Sequence, residues 1–108
     1  MDIDVERKNE TLIAQVTGRV DSANAREFEQ ALSSAIGDDR KVILDLGNLS
    51  YISSSGLRVL LLVAKALRNK GAEFALCSLS DPIREIFEIS GFDKIIPIYG
   101  SLMEVMGE

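Results

Sequence analysis

Gly47-Asn48-Leu49-Ser50-Tyr51-Ile52-Ser53-Ser54-Ser55-Gly56-Leu57-Arg58 is the stretch whose reading decides the fold. Before it stands Val42-Ile43-Leu44-Asp45-Leu46, a near-continuous apolar run with one acid inside. Such a run suits a strand covered on both faces. After it, from Ser54 or Ser55 to Lys70, Leu57, Leu60, Ala64 and Leu67 recur at helical spacing and define a core-facing stripe, and Gly71 follows as the end of the helix. Serine is a good N-cap because its side-chain oxygen accepts from the free N–H groups of a first helical turn. The stretch is therefore a strand-to-helix junction, with three serines at the turn.

Working outward, Ile3 to Glu6 and Leu12 to Val20 read as two strands joined by the polar turn Lys8 to Glu10, a hairpin. Gly18 marks a bulge or a close approach within the second. Ser22 to Ile36 reads as a helix, with Ala25, Phe28, Leu32, Ala35 and Ile36 on one face and Gly37 at its end. Asn24 with Glu27 is a candidate capping box, and Ser22 an alternative cap. Glu73 to Leu79 is another apolar strand. Asp81-Pro82 opens a third helix that reaches Ser90-Gly91, Ile95 to Tyr99 is a last strand, and Ser101 to Met106 a short terminal helix. Strand–helix–strand units imply parallel pairing with right-handed crossovers. The expected fold is α/β: a mixed sheet of four to five strands with about four helices, built as an N-terminal β-hairpin followed by βαβ units, in a single domain spanning residues 1–108.

Composition narrows the chemistry. The chain has 108 residues, of which 46% are hydrophobic, enough for one core. It contains no histidine and one cysteine, so no Ser-His-Asp or Cys-His nucleophile and no thiolate or imidazole zinc site can be assembled from it. The motifs G-x-S-x-G and G-x-x-x-x-G-K-[ST] are both absent. A self-contained enzyme is not expected, nor a cofactor or metal. A net charge of −5 argues against nucleic acid as the main partner. No apolar run approaches the roughly 20 residues of a membrane span, and the N-terminus lacks a signal peptide's apolar centre. The expected setting is the cytoplasm, without membrane contact. Cys77 lies in an apolar segment and reads as an inert core residue.

In an open α/β sheet, ligands gather at the carboxyl ends of the strands. Two segments end there: Arg19-Val20-Asp21-Ser22, and Leu49 to Gly56. A phosphate on Ser54 would meet the unpaired N–H groups and positive dipole end of the following helix. One of the three serines suffices for a cap. Gly56 allows another molecule to approach the backbone closely. From Leu46 to Ala72 the chain carries four bases (Arg58, Lys65, Arg68, Lys70) and no acid. Arg58, Lys65 and Arg68 share one helix face at about 100° per residue, and Leu61 and Leu62 fall on or beside it. Leucines among exposed bases are where a partner docks, unless they tuck into a covered edge of the core. Asp21 either caps the next helix or lines the same crevice as Ser54 and orients a hydroxyl or a metal-bound phosphate. Asp45 reads as a hydrogen-bonded structural acid near its strand end.

These residues resemble the STAS family, named for sulfate transporters and anti-sigma factor antagonists, and within it the small free-standing bacterial antagonists. Val42 to Leu46 with Leu49 and Tyr51-Ile52-Ser53-Ser54-Ser55-Gly56-Leu57 resembles the family's signature strand and phosphorylation loop. Thr17-Gly18-Arg19-Val20-Asp21 resembles its Gly-x-x-Asp loop, and Phe92-Asp93-Lys94-Ile95-Ile96 its final strand region. The resemblance implies a partner switch. An unmodified antagonist binds an anti-sigma factor that is also a serine kinase; the kinase phosphorylates it and lets go; a PP2C-type phosphatase restores it. Position by position, the resemblance makes Ser54 the phosphoacceptor ahead of Ser53 and Ser55, Gly56 the motif glycine and Asp21 the neighbouring acid. Ser53 departs from the pattern, standing where many members carry aspartate. Partner contacts are expected from Arg58, Leu61, Leu62 and Lys65. The other readings are a small-ligand or nucleotide sensor using the same crevice, a partner switch with a non-sigma output, and a detached relative of a transporter's regulatory domain.

Overall fold

The computed structural model describes residues 1–107, and its sheet is five strands in sequence order, β1-β2-β3-β4-β5. The hairpin is β1 (Asp2–Lys8) against β2 (Thr11–Val20), antiparallel, closed by Asn9 at φ 59°. The remaining neighbours, β3 (Lys41–Ile52), β4 (Glu73–Cys77) and β5 (Ile98–Tyr99), pair in parallel. Between them run α1 (Ala25–Ala35), α2 (Ser54–Asn69) and α3 (Asp81–Ile89), a 3₁₀ turn at Phe92–Lys94, and finally α4 (Leu102–Met106). The mixed sheet, the opening hairpin and the βαβ order agree with the sequence reading.

Side chains of successive strand residues point to opposite faces, and the core divides accordingly. Leu12, Ala14, Val16, Val42, Leu44, Leu46, Phe74 and Leu76 pack with Phe28 and Leu32 of α1, Leu57, Leu60 and Leu67 of α2, and Ile83 and Phe87 of α3. The alternate residues Ile13, Ile43, Ala75 and Cys77 face the other way, where Val105 of α4 covers them. Cys77 is fully buried, and desolvation holds its thiol pKa above the usual value. It is the core residue expected of it. Gly71, at φ 75°, terminates α2 in the left-handed conformation.

Several boundaries differ from the sequence reading, four of them with an identifiable cause. The strand expected over Val42–Leu46 runs on to Ile52. The β2–β3 register shifts between Gln15 and Thr17 and between Gly18 and Arg19, each time with one extra residue on β3, so that Thr17, Gly18, Arg19 and Val20 pair with Asn48, Leu49, Tyr51 and Ile52. Gly18 sits at one of these shifts at φ 98°, and the Ser50 hydroxyl donates to its carbonyl at 3.0 Å. The irregular register leaves Leu46, Leu49 and Ile52 buried at a spacing of three, a pattern that reads as a loop when strict alternation is sought. β4 stops at Cys77 because Ser78 turns to φ 68°. The last strand shrinks from Ile95–Tyr99 to Ile98–Tyr99: the chain first makes the 3₁₀ turn, Ile96 drops into the core, and Pro97 has no N–H to donate. Finally, α1 begins at Ala25, not Ser22, because the preceding residues are held in a turn built by Asp21 and Asn24.

Candidate functional site

One residue, Ser53, separates the last residue of β3 from the first of α2. Its backbone N–H donates to the Val20 carbonyl at 2.9 Å, continuing the β2–β3 ladder. Its Oγ accepts from Gly56 N at 3.3 Å, and its carbonyl accepts from Leu57 N at 3.0 Å. Ser53 is thus the N-cap, and its hydroxyl is engaged. Ser55 is half-buried, whereas Ser54 is exposed and its hydroxyl has no protein partner among the described residues. The three serines are not equivalent: one caps, one is partly covered, and one is offered to solvent on a helix start whose first turn holds no acid.

Gly56 departs from its expected role. It is buried, and a Cβ there would lie 2.7 Å from Ile52 Cγ1 and 2.8 Å from Val20 Cγ1. The close approach it permits is to the chain's own strands, pressing the start of α2 onto the ends of β2 and β3.

Asp21 turns out to be the cap of a turn. Its Oδ1 accepts from Ala23 N at 2.9 Å and Asn24 N at 3.2 Å. Asn24 returns the favour through Oδ1, which accepts from Asp21 N at 2.9 Å, while Nδ2 donates to the Arg19 carbonyl, also at 2.9 Å. With its side chain so committed, Asn24 makes no capping box with Glu27. Arg19 Nε lies 3.7 Å from Asp21 Oδ2, and the guanidinium sits 4.7 Å from the centroid of the exposed Tyr51 ring. Asp45 behaves as read: Oδ1 accepts from Gly47 N at 3.0 Å, where the β4 pairing ends.

The exposed side of α2 meets α1 across a groove of about 480 Å³ lined by Ser54, Ser55, Arg58 and Leu62 on one side and Ser22, Arg26 and Glu29 on the other. A second hollow of about 240 Å³ continues from it, sharing Glu29 and Leu62 and running to Lys70. Of the expected partner contacts, Arg58 and Leu62 line the groove. Lys65 is exposed and Leu61 half-buried, and neither lines the groove. Leu62, at 46% exposure, is the apolar centre of this surface. The α1 contribution was not singled out from sequence. The signal was present in Ala25, Arg26 and Glu29, which follow one another up one flank of α1 beside its buried stripe.

A family model for the STAS domain matches residues 2–105, and the chain belongs to that family. It is 48% identical over 102 residues to BtrV of Bordetella bronchiseptica, provisionally assigned as an anti-sigma factor antagonist, covering 94% of this chain and 88% of that one. It is 30% identical over 110 residues to the anti-sigma F factor antagonist of Paenibacillus polymyxa, covering all of this chain and 94% of its relative. Among solved structures, the anti-sigma factor antagonist SpoIIAA in its unphosphorylated form superposes with a TM-score of 0.82 at 21% identity, covering 97% of this chain and 93% of SpoIIAA. The phosphorylated form of the Bacillus protein gives 0.72 at 20% identity, covering 98% and 97%. At that identity the likeness establishes the shared fold.

Proposed function

We propose that this chain is an anti-sigma factor antagonist working as a phosphorylation-controlled partner switch. Unmodified, it binds an anti-sigma factor through the outer face of α2 and the adjoining groove. That partner is also a serine kinase. It transfers the γ-phosphoryl group of ATP to Ser54 Oγ: the O–P bond forms, the bond to ADP breaks, and the hydroxyl proton is released. The new charge ends the complex, and a PP2C-type phosphatase removes it by hydrolysis.

The observation that carries this reading is the distinct environment of Ser54, the exposed serine of the three, which lines the same groove as Arg58 and Leu62. A phosphoryl group adds about −1.5 to −2 charges. An interface fitted to a neutral hydroxyl then carries a desolvation cost, and about 3 kcal/mol weakens binding more than 100-fold. The names carried by BtrV and the Paenibacillus protein support an anti-sigma partner, and SpoIIAA, of the same fold, exists in a phosphorylated form. The ligand-sensor reading rested on Asp21 facing the crevice; Asp21 Oδ1 is engaged by Ala23 and Asn24, and Asp21 is not among the residues that line the groove with Ser54, which weighs against that reading.

Incubation with the cognate kinase and ATP, followed by mass-spectrometric mapping, should place a single phosphate on Ser54. Ser54→Asp should abolish anti-sigma binding and Ser54→Ala should preserve it. Equal affinities for the two variants would remove the switch.

A further inference from the structure

Two arginines from different helices face the same groove as Ser54: Arg58, one helical turn further along α2, and Arg26, in the first turn of α1. Both are exposed, and neither forms an ion pair among the described residues, whose pairs are Arg7–Asp39, Arg19–Asp21 and Arg40–Glu10. Residues four apart on a helix have Cβ atoms about 5–6 Å apart, so Arg58 stands within reach of an anion carried by Ser54. Arg26 reaches the same space from the opposite wall. Guanidinium groups match phosphate oxygens in paired hydrogen-bond geometry, and such charge-assisted bonds are roughly twice as strong as neutral ones.

We propose that Arg26 and Arg58 form a clamp across the groove that holds the phosphate of phospho-Ser54 and ties the start of α2 to α1. The inference rests on Ser54 being the modified residue. It gives phosphorylation a second action besides charge. Before modification the two arginines are free to engage a partner. Afterwards they turn inward on the phosphate, so a partner loses two cationic contacts at the moment it meets a new anion. The clamp also bridges the mouth of the groove beside Leu62, the apolar centre of the docking surface. Glu29 lines the same groove and opposes the phosphate, which sets a limit on how tightly the clamp closes.

Phosphoserine installed at position 54 by genetic-code expansion tests the clamp without any kinase, so its outcome stands apart from the kinase reading. The probe is the phosphate itself, followed by ³¹P NMR titration of the intact chain. Opposite charges within about 4–6 Å lower an acid's pKa by one unit or more. The second ionisation should therefore fall about one unit below that of phosphoserine in an unstructured peptide. Arg26→Ala and Arg58→Ala should each move it back up, while Glu29→Gln should lower it further. The unmodified variants should melt within a degree or two of the parent, since both arginines are exposed and unpaired. An Arg26→Ala titration that superposes on the parent curve would overturn the bridge across the groove, and a phosphate that ionises as in a free peptide would overturn the clamp altogether.

Discussion

Ser53 Oγ and Gly56 N lie 3.3 Å apart, and that capping bond removes Ser53 from the pool of free hydroxyls. The serine beside it is left as the one presented to solvent. Losing such a cap costs about 1 kcal/mol. Ser53→Ala should therefore lower stability by about that amount in urea denaturation. Ser53→Asp should restore it, since aspartate caps as well and its charge suits the helix N-terminus. In kinase assays, neither change should move the phosphate away from Ser54.

Gly56→Ala sets two effects against each other. Alanine gains up to about 1 kcal/mol of helix propensity. The added methyl meets Ile52 Cγ1 at 2.7 Å and Val20 Cγ1 at 2.8 Å, both on buried side chains. Overpacking of a tight core costs about 1–3 kcal/mol, so the clash should prevail. The melting temperature should drop by several degrees. Partner binding should fall as well, because relief of the clash displaces the first turn of α2 and Ser54 with it.

Arg7, on β1, holds Asp39, in the loop between α1 and β3, through bonds of 2.8 and 3.0 Å, and also donates to the Ala35 carbonyl at the end of α1. The hydrogen bond from Arg7 is the largest cause of a lowered Asp39 pKa, with desolvation working against it. A carboxylate with a depressed folded pKa contributes stability that is complete above its unfolded value, near 3.8, and is lost as pH falls through the folded value. Denaturation curves for the parent and Arg7→Met should be furthest apart near neutral pH. They should begin to approach one another below about pH 4, where the unfolded carboxyl takes up its proton, and converge as pH falls through the lowered folded value. A difference that persists unchanged to pH 2 would assign Arg7's role to packing alone.

Leu62 and Leu61 should respond differently to the same change. Leu62 is 46% exposed, so Leu62→Asp should alter stability by no more than about 0.5 kcal/mol while weakening anti-sigma binding at least tenfold by calorimetry. Leu61 is half-buried, so Leu61→Asp should lower both stability and binding. Lys65→Glu, on the exposed face, should weaken binding in a way that high salt reduces.

The architecture was legible because α2, α3 and the Val42–Leu46 run carry their periodicities openly. Where reading failed, a tertiary cause can be named. Leu49 and Tyr51 looked like loop because two one-residue bulges in β3, invisible without its partner strand β2, reset the pairing. Gly56 looked open to a ligand because sequence does not show that Val20 and Ile52 converge on it. The serine run, read alone, offered three acceptors. Which one is free depends on a cap that spacing permits but does not choose. Arg26 escaped notice because it reaches the groove only once α1 folds back beside α2.

The corner between β3 and α2 is one residue long, hydrogen-bonded on one side to Val20 and clamped on the other by Gly56. Under the proposed switch, a kinase acting on Ser54 would therefore meet no slack peptide to draw into an extended binding cleft. It must accept a finished helix end as its substrate, or unwind that end against the packing of two strands. Selection among neighbouring serines then passes from the enzyme's reading of a sequence to the substrate's own shape. A short peptide copied from this corner would carry every letter of the motif and little of its meaning.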